Sequence, residues 1–524
     1  MRRRTAFWKI IAALLALSLV AAACGGDDDD GGSGGGGETA DIDPNGILKL
    51  PADLTQPTFA QIDPISVDVL LSTLHEYLYG TLLKLNADGE IEPGLAEKVE
   101  VVDASNLVVT LREGLKFTDG TVLDAEALKF SWERTVTQAK PGGIEAEFRE
   151  FKTLTVTSPT EMKVELKTPI AGAFFRLMRF AEASPVSPTA VKAGVDFNKA
   201  PVGAGPFKLE TWVPSQTMKL VKNPDYWDAE NVKLAGIEYV NTTAQSMTNA
   251  VRSNGIDFTI LSAPQAREVA GTPGWEVPVE PTNGVQLIAM MCKSRPPFDN
   301  LKVRQALNFA IDRDALNEVL YDGKGEPMNG FNSSNTPFYD EDLEGTFSYD
   351  PDEAKKLLAE AGVPNLEFTM LFTAGTDGQQ GGEILQQQLL ESGIKINLRP
   401  IGATQDFFPE ALAGPAYFFP LQRVGLPKIS RTLVPGTIGN PCAWNDPELN
   451  DLVAKLRAVE ETSPEGIALW KKISEYGLRK AVWVFGVFGT QAYGINSAKV
   501  DGIEVYEGRT GLPTLDVESV YVKR

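Results

Sequence analysis

Apolar positions along this chain follow two alternating periods. Leu107, Val108, Val109 and Leu111 make a β-prone run that ends at Arg112. Thr118, Asp119, Gly120 and Thr121 then supply turn chemistry, with Gly120 free to take a positive φ. Ala125, Leu128 and Trp132 fall at helical spacing behind Asp124, a good N-cap, and Glu126 complements the positive helix end. The same rhythm predicts strands over 47–50, 99–102 and 162–166 and a helix over about 66–79. Val303, Ala306, Leu307, Ala310 and Ile311 form one apolar helical stripe, capped by Asp299 or Asn300. Asp350, Pro351 and Glu353 read as a capping signal and Gly362 as a stop, giving a helix over 351–361. A strand over 367–372, a helix over about 382–392 and a strand over 394–398 follow. This βα alternation predicts an α/β fold with a mixed sheet, and no tandem repeat at solenoid periods appears.

The first 45 residues break the rhythm. Arg2, Arg3, Arg4 and Lys9 precede an apolar stretch over 10–23, which is shorter than the roughly 20 residues of a spanning helix. The run Val20, Ala21, Ala22, Ala23, Cys24 looks like a lipoprotein cleavage box, with Ala21 where Leu is commoner. Residues 1–23 are then a signal peptide and Cys24 the lipidated first mature residue; the alternative is a secretory peptide with an incidental cysteine. Residues 24–45, containing GGDDDDGGSGGGG, cannot build a core and form a tether, of which about 20 residues span roughly 25 Å. A GxSxG match over 31–35 lacks the flanking strand and helix of a nucleophile turn, so it is composition only.

At 524 residues the chain is long enough for about three domains, and 43% hydrophobic with 23% charged residues is ordinary globular composition. A formal charge of −21 argues against a nucleic-acid partner. One histidine, His75, argues against a His-rich metal site or a His-dependent triad. No GxxxxGK[ST] run is present, so the chain is not a transporter's nucleotide-hydrolysing part.

Several motifs come in one order: 111–134, LREGLKFTDGTVLDAEALKFSWER; 202–207, VGAGPF, with Ala204 in place of Thr; 223–227, NPDYW; and 298–316, FDNLKVRQALNFAIDRDAL. The glycines of the second permit a tight backbone crossing, and Asn-Pro marks a turn. Residues 76–83 and 91–98 add a helix–hairpin opening. Taken together, the chain resembles the bacterial extracellular solute-binding proteins of family 5, the peptide, nickel and opine binders of ABC importers, over about 46–524.

That resemblance implies a periplasmic-binding-protein-like α/β fold of type II, cluster C kind: two α/β lobes with a hinge and an extra inserted domain. By analogy domain I comprises 46–77, 169–280 and 496–524, domain II 78–168 and domain III 281–495. The ligand lies between domains I and III, and closure buries it. Peptide-binding members carry a GW-x-AD stretch whose Asp pairs with the peptide ammonium; here 420–429 reads PLQRVGLPKI, with Gly425 near that position. Arg423, Lys428 and Arg431 stand there instead, as a solvated loop or as a fork for a carboxylate, phosphate or sulfate. Asp406 or Asp446 remains an alternative for an ammonium group. Tyr417, Phe419 and Trp444 are expected on the pocket wall or in the core, and Thr282 and Asn283 near the crossing strand. Arg304 and Arg313 read as solvated or structural charges. Cys292 and Cys442 are either a disulfide or two buried thiols.

The expected role is that of an extracytoplasmic, lipid-anchored and monomeric substrate-binding subunit of an ABC importer, without metal, cofactor or catalysis. Its partners are a small polar or anionic organic solute or a peptide, the permease, and the membrane through the anchor. A sensory lipoprotein for a membrane receptor, or a hydrolase working through a carboxylate pair, are the rivals.

Overall fold

The computed structural model describes residues 42–56, 59, 61–66, 72–86, 90–138, 145–373, 377–401, 416–422, 440, 444–507 and 513–524. The chain divides into the units Met1–Asp41 and Ile42–Arg524, and every described residue belongs to the second.

Strand β1 (Ile47–Ala52) is followed by helix α1 (Ser72–Tyr79). Next come β2 (Ala96–Asp103), β3 (Asn106–Leu111), α2 (Ala125–Gln138), β4 (Phe151–Val156) and β5 (Glu161–Leu166). These strands form an antiparallel sheet ordered β2–β3–β5–β4. Alternation in β3 sends Leu107, Val109 and Leu111 inward, where they share a core with fully buried Trp132 of α2. Asp124 caps α2 by accepting from the Ala127 amide at 2.9 Å, as its position predicts.

Helix α3 (Ala171–Leu177) leads to β6 (Phe207–Val213), β7 (Thr217–Lys222) and β8 (Gly236–Asn241). β1 joins them in parallel beside β8, giving the order β1–β8–β7–β6. The expected backbone crossing is present: a Cβ on Gly203 or Gly205 would lie 2.4 Å from the carbonyl oxygen of Leu78 or Tyr77. Asn223, fully buried, donates to the Gly205 carbonyl at 2.8 Å and holds that crossing.

Most of the remainder builds a seven-stranded mixed sheet. Its elements are β9 (Phe258–Leu261), β10 (Val279–Met291), α4 (Leu301–Phe309), α5 (Arg313–Tyr321), α6 (Pro351–Glu360) and β11 (Glu367–Thr373), then α7 (Asp377–Glu391), β12 (Lys395–Ile401), β13 (Ala416–Gln422), α8 (Pro447–Ala458), α9 (Pro464–Arg479) and β14 (Val484–Ile495). The order is β9–β14–β10–β13–β11–β12, with Glu326–Pro327 also paired to β14. Asp350 caps α6 by accepting from the Glu353 amide at 2.9 Å, and Gly362 beyond the helix has φ +78°.

The apolar stripe over 303–311 is not one helix. Asn300 caps α4, the helix stops at Phe309, and Asp312 starts α5 by accepting from the Ala315 amide at 2.9 Å. Arg304 and Arg313 are both buried and structural, not solvated: their guanidinium groups donate to the carbonyls of Phe298 at 2.8 Å and Phe347 at 2.7 Å. Burial pushes each down to about 10.

Buried ion pairs tie distant segments together. Arg134 of α2 holds Asp63 with both guanidinium arms, and Lys499 holds fully buried Asp257 at 2.8 Å. Glu461, in the α8–α9 turn, accepts from Arg176 at 2.8 Å and Arg179 at 3.2 Å, while a Cβ on Gly172 of α3 would overlap the Val459 carbonyl. Among the described residues no helix is long and apolar enough to cross a membrane.

Candidate ligand cleft

β10 and β14 are the two long strands of the large sheet, at 13 and 12 residues, and they run antiparallel side by side. Their pairing is interrupted. Pro281 faces Thr490 and Gln286 faces Phe488, so residues 282–285 on β10 stand against Gly489 alone. Gly489 tolerates this only as glycine, since a Cβ there would come 2.8 Å from the Tyr321 ring. On the other side of β10 pairing with β13 begins at Val285, opposite Gln422. Thr282, Asn283 and Gly284 therefore lie outside both registers, at the boundary between two parts of the sheet. The part before the break carries β9 and the core of Val251, Ile256 and Trp275; the part after it carries β13, β11 and β12.

The expected site residues divide around this break. Thr282, half-buried, and Asn283 sit in it. Arg423, Lys428 and Arg431 lie outside the described residues, as do Gly425 and Asp406. Gln422, the last described residue before them, is paired one position from the break. The backbones of Phe419 and Tyr417 pair with Ile288 and Met290, progressively further along β10. Trp444 is half-buried beside Lys293, eleven residues beyond Thr282 and so on the order of 30 Å away along an extended chain. Thr282 and Asn283 are thus brought close to Gln422, and Trp444 is not. Asp446 is a structural cap: it starts α8 and accepts the Tyr476 hydroxyl proton at 2.7 Å.

Two buried polar groups near the core escape sequence reading. Lys293 is 3% exposed, its Nζ has no hydrogen-bond partner among the described residues and lies 4.9 Å from the Trp444 ring centre. Burial, with the Arg304 charge added, pushes its ammonium down to about 7. Asn332 is 2% exposed and neither end of its amide has a partner among the described residues. The one sequence signal for Lys293 is a lysine directly following the apolar run 287–292. Cys292, beside it, is buried and disulfide-bonded, not a thiol, while Cys24 and Cys442 lie outside the described residues. Among the described residues no group of three or more His, Cys, Asp or Glu side chains converges as a metal site.

Comparison with known proteins follows the same lines. Residues 90–419 match the family described as bacterial extracellular solute-binding proteins, family 5 Middle. The glutathione-binding protein GsiB of Salmonella paratyphi A is 31% identical over 357 residues, covering 66% of this chain and 68% of its own. Among solved structures, AgaA from A. tumefacien R10, in complex with agropinic acid, is 26% identical with a TM-score of 0.68, over 87% of this chain and 94% of its own. Helicobacter pylori DppA, in complex with the peptide STSA, is 22% identical with a TM-score of 0.72, over 92% and 98%. The mixed α/β architecture is that of these periplasmic binding proteins. A match over more than half the chain, a 31% identical relative and the shared fold agree: the chain belongs to the bacterial extracellular solute-binding proteins of family 5.

Proposed function

We propose that this chain captures a small anionic or polar organic solute, or an acidic peptide, in a cleft between two lobes and delivers it to a permease. Its general role follows from its family: it is the extracytoplasmic substrate-binding subunit of an ABC importer. The cleft lies between domain I (46–77, 169–280 and 496–524) and domain III (281–495), with 78–168 as the inserted domain. Closure turns on the break at 282–284, where bending disrupts no ladder between β10 and β14.

The observation that carries the ligand class is the cationic stretch. Arg423, Lys428 and Arg431 follow Gln422 in sequence, and Gln422 pairs with Val285 next to Thr282 and Asn283, in a chain of formal charge −21. A desolvated peptide ammonium placed there without a counter-charge would cost several kcal/mol, whereas a carboxylate finds donors. Two similar proteins point the same way, since GsiB is named for glutathione, itself acidic, and AgaA was crystallised with agropinic acid. Binding then involves no catalytic step and no cofactor, and the relatives are binding proteins throughout. The working form is a monomer tethered through lipidated Cys24, and Cys292 pairs with Cys442.

Isothermal calorimetry with glutathione, other organic acids and their amide-blocked forms tests the ligand class. The expected result is saturable binding of acids, lost on blocking and weakened at least tenfold in Arg423→Ala. Binding confined to peptides without a net negative charge overturns it. Mass spectrometry of the membrane-extracted protein tests the anchor, because an unmodified Cys24 would remove it.

A further inference from the structure

The break in β10 has a counterpart on the far edge of β14. There β9 pairs only from Ala492 onward, opposite Leu261, and the two-residue strand Glu326–Pro327 pairs with Phe488 and Val487. Among the described residues no strand pairs with Gly489, Thr490 or Gln491 on that edge. On the near edge β10 meets Thr490 and Gln491 but skips Gly489. Gly489 is therefore outside the ladders on both sides, and the seven-stranded sheet narrows to a waist there.

The C-terminal end of α5 fills the gap. Tyr321 is 3% exposed, and a Cβ on Gly489 would lie 2.8 Å from its Cζ and 2.9 Å from its hydroxyl oxygen. Helix α5 is itself fixed to the large-sheet side: Arg313 donates to the Phe485 carbonyl at 2.9 Å and Asn317 to the Gly325 carbonyl at 3.0 Å. One residue beyond the helix, Asp322 turns left-handed at φ +52° and accepts from Arg267 at 3.2 Å. Arg267 stands on the helix Ala263–Val269, which follows β9 on the other side of the waist.

Two bodies joined by two strands bend where those strands are least laddered. Bare backbone at such a point would twist and shear as readily as it bends, whereas a flat, close-packed ring seated on it leaves fewer motions open. On the two-lobe reading above, on which this rests, we infer that Tyr321 is the bearing of the hinge: a positioning residue, held in domain III, whose ring fixes the path of β14 through Gly489 and limits how the lobes turn. Glycine at 489 lets the ring sit directly on the strand. The Asp322–Arg267 pair, each side chain more than half exposed, adds a weak strut between the two bodies.

Small-angle X-ray scattering of the cargo-free full chain tests this. Tyr321→Ala should swell the protein by about 1 Å in radius of gyration, over roughly 24 Å for a compact chain of this length. Tyr321→Phe, which keeps the ring, should match the parent. Leu316→Ala empties a fully buried site on the same helix, five residues away; it should lower the melting temperature and leave the radius unchanged. No swelling in Tyr321→Ala, or equal swelling in Tyr321→Phe or Leu316→Ala, overturns the inference. Asn283→Gly, which loosens β10 itself, separates the bearing from the reading beneath it. Swelling there without swelling in Tyr321→Ala sinks the bearing alone, and swelling in neither sinks the two lobes with it. Should Tyr321→Ala not fold, Tyr321→Leu, apolar but without a flat ring, is read against the same outcomes.

Discussion

Replacing Lys293 by Met tests whether an ammonium group is held without a partner in the large core. In the unfolded chain this lysine titrates near its ordinary value of about 10.4; folded, burial and Arg304 bring it to about 7. Below pH 7 both states carry the proton, and the folded state bears the full cost of the buried charge, on the order of 4 kcal/mol. Between about 7 and 10 the folded lysine is neutral while the unfolded one is charged. The folded state then binds fewer protons, and stability rises with pH, by about 2 kcal/mol from pH 7 to 9. Glu76 works in the opposite direction. Its raised value makes a contribution that is full below the ordinary carboxylate range and is lost as pH climbs through about 8. That contribution is common to parent and variant and cancels in the difference. Met keeps the volume and a favourable contact with the Trp444 ring. Urea unfolding followed by far-ultraviolet circular dichroism at pH 6, 7, 8 and 9 should show the variant more stable than the parent at low pH, with the gap closing as pH rises. Parallel profiles at all four values would refute the assignment of a partnerless buried cation.

Two further outcomes follow from the geometry. Glu461→Gln strips the counter-charge from Arg176, which is under 10% exposed, and should lower unfolding stability by about 3–5 kcal/mol; a loss below about 1 kcal/mol in urea melts would show the pair to be solvated. Gly205→Ala drives a methyl to 2.4 Å from the Tyr77 carbonyl, a backbone atom that cannot swing aside. Thermal melting should fall by more than ten degrees or the protein should fail to fold, and a shift within two degrees contradicts the tight crossing.

Local chemistry was readable from sequence. Asp124, Asn300 and Asp350 cap helices because each side chain needs only an amide two or three residues ahead. The glycines over 203–205 signalled a close crossing, although not that α1 was the element crossed. What depends on tertiary burial was not readable. The stripe over 303–311 looked like one helix, yet the first helix stops at Phe309 and Asp312 caps a second. Asn332 carries no local mark of being buried and Lys293 only the apolar run before it, because burial comes from segments far away in sequence. The break in β10 also escaped prediction. Its extra residues follow from where β13 and β14 pair, and period-two patterning is lost where an odd number of residues is inserted.

That interruption has a practical consequence. Asn283 and Gly284 are two consecutive residues outside the ladders, flanked on both sides by strands locked into a seven-stranded sheet. Deuterium should enter this short window far faster than its neighbours. Cargo bound there, as proposed, would slow that uptake, and occupancy would then be readable by mass without dye or tag.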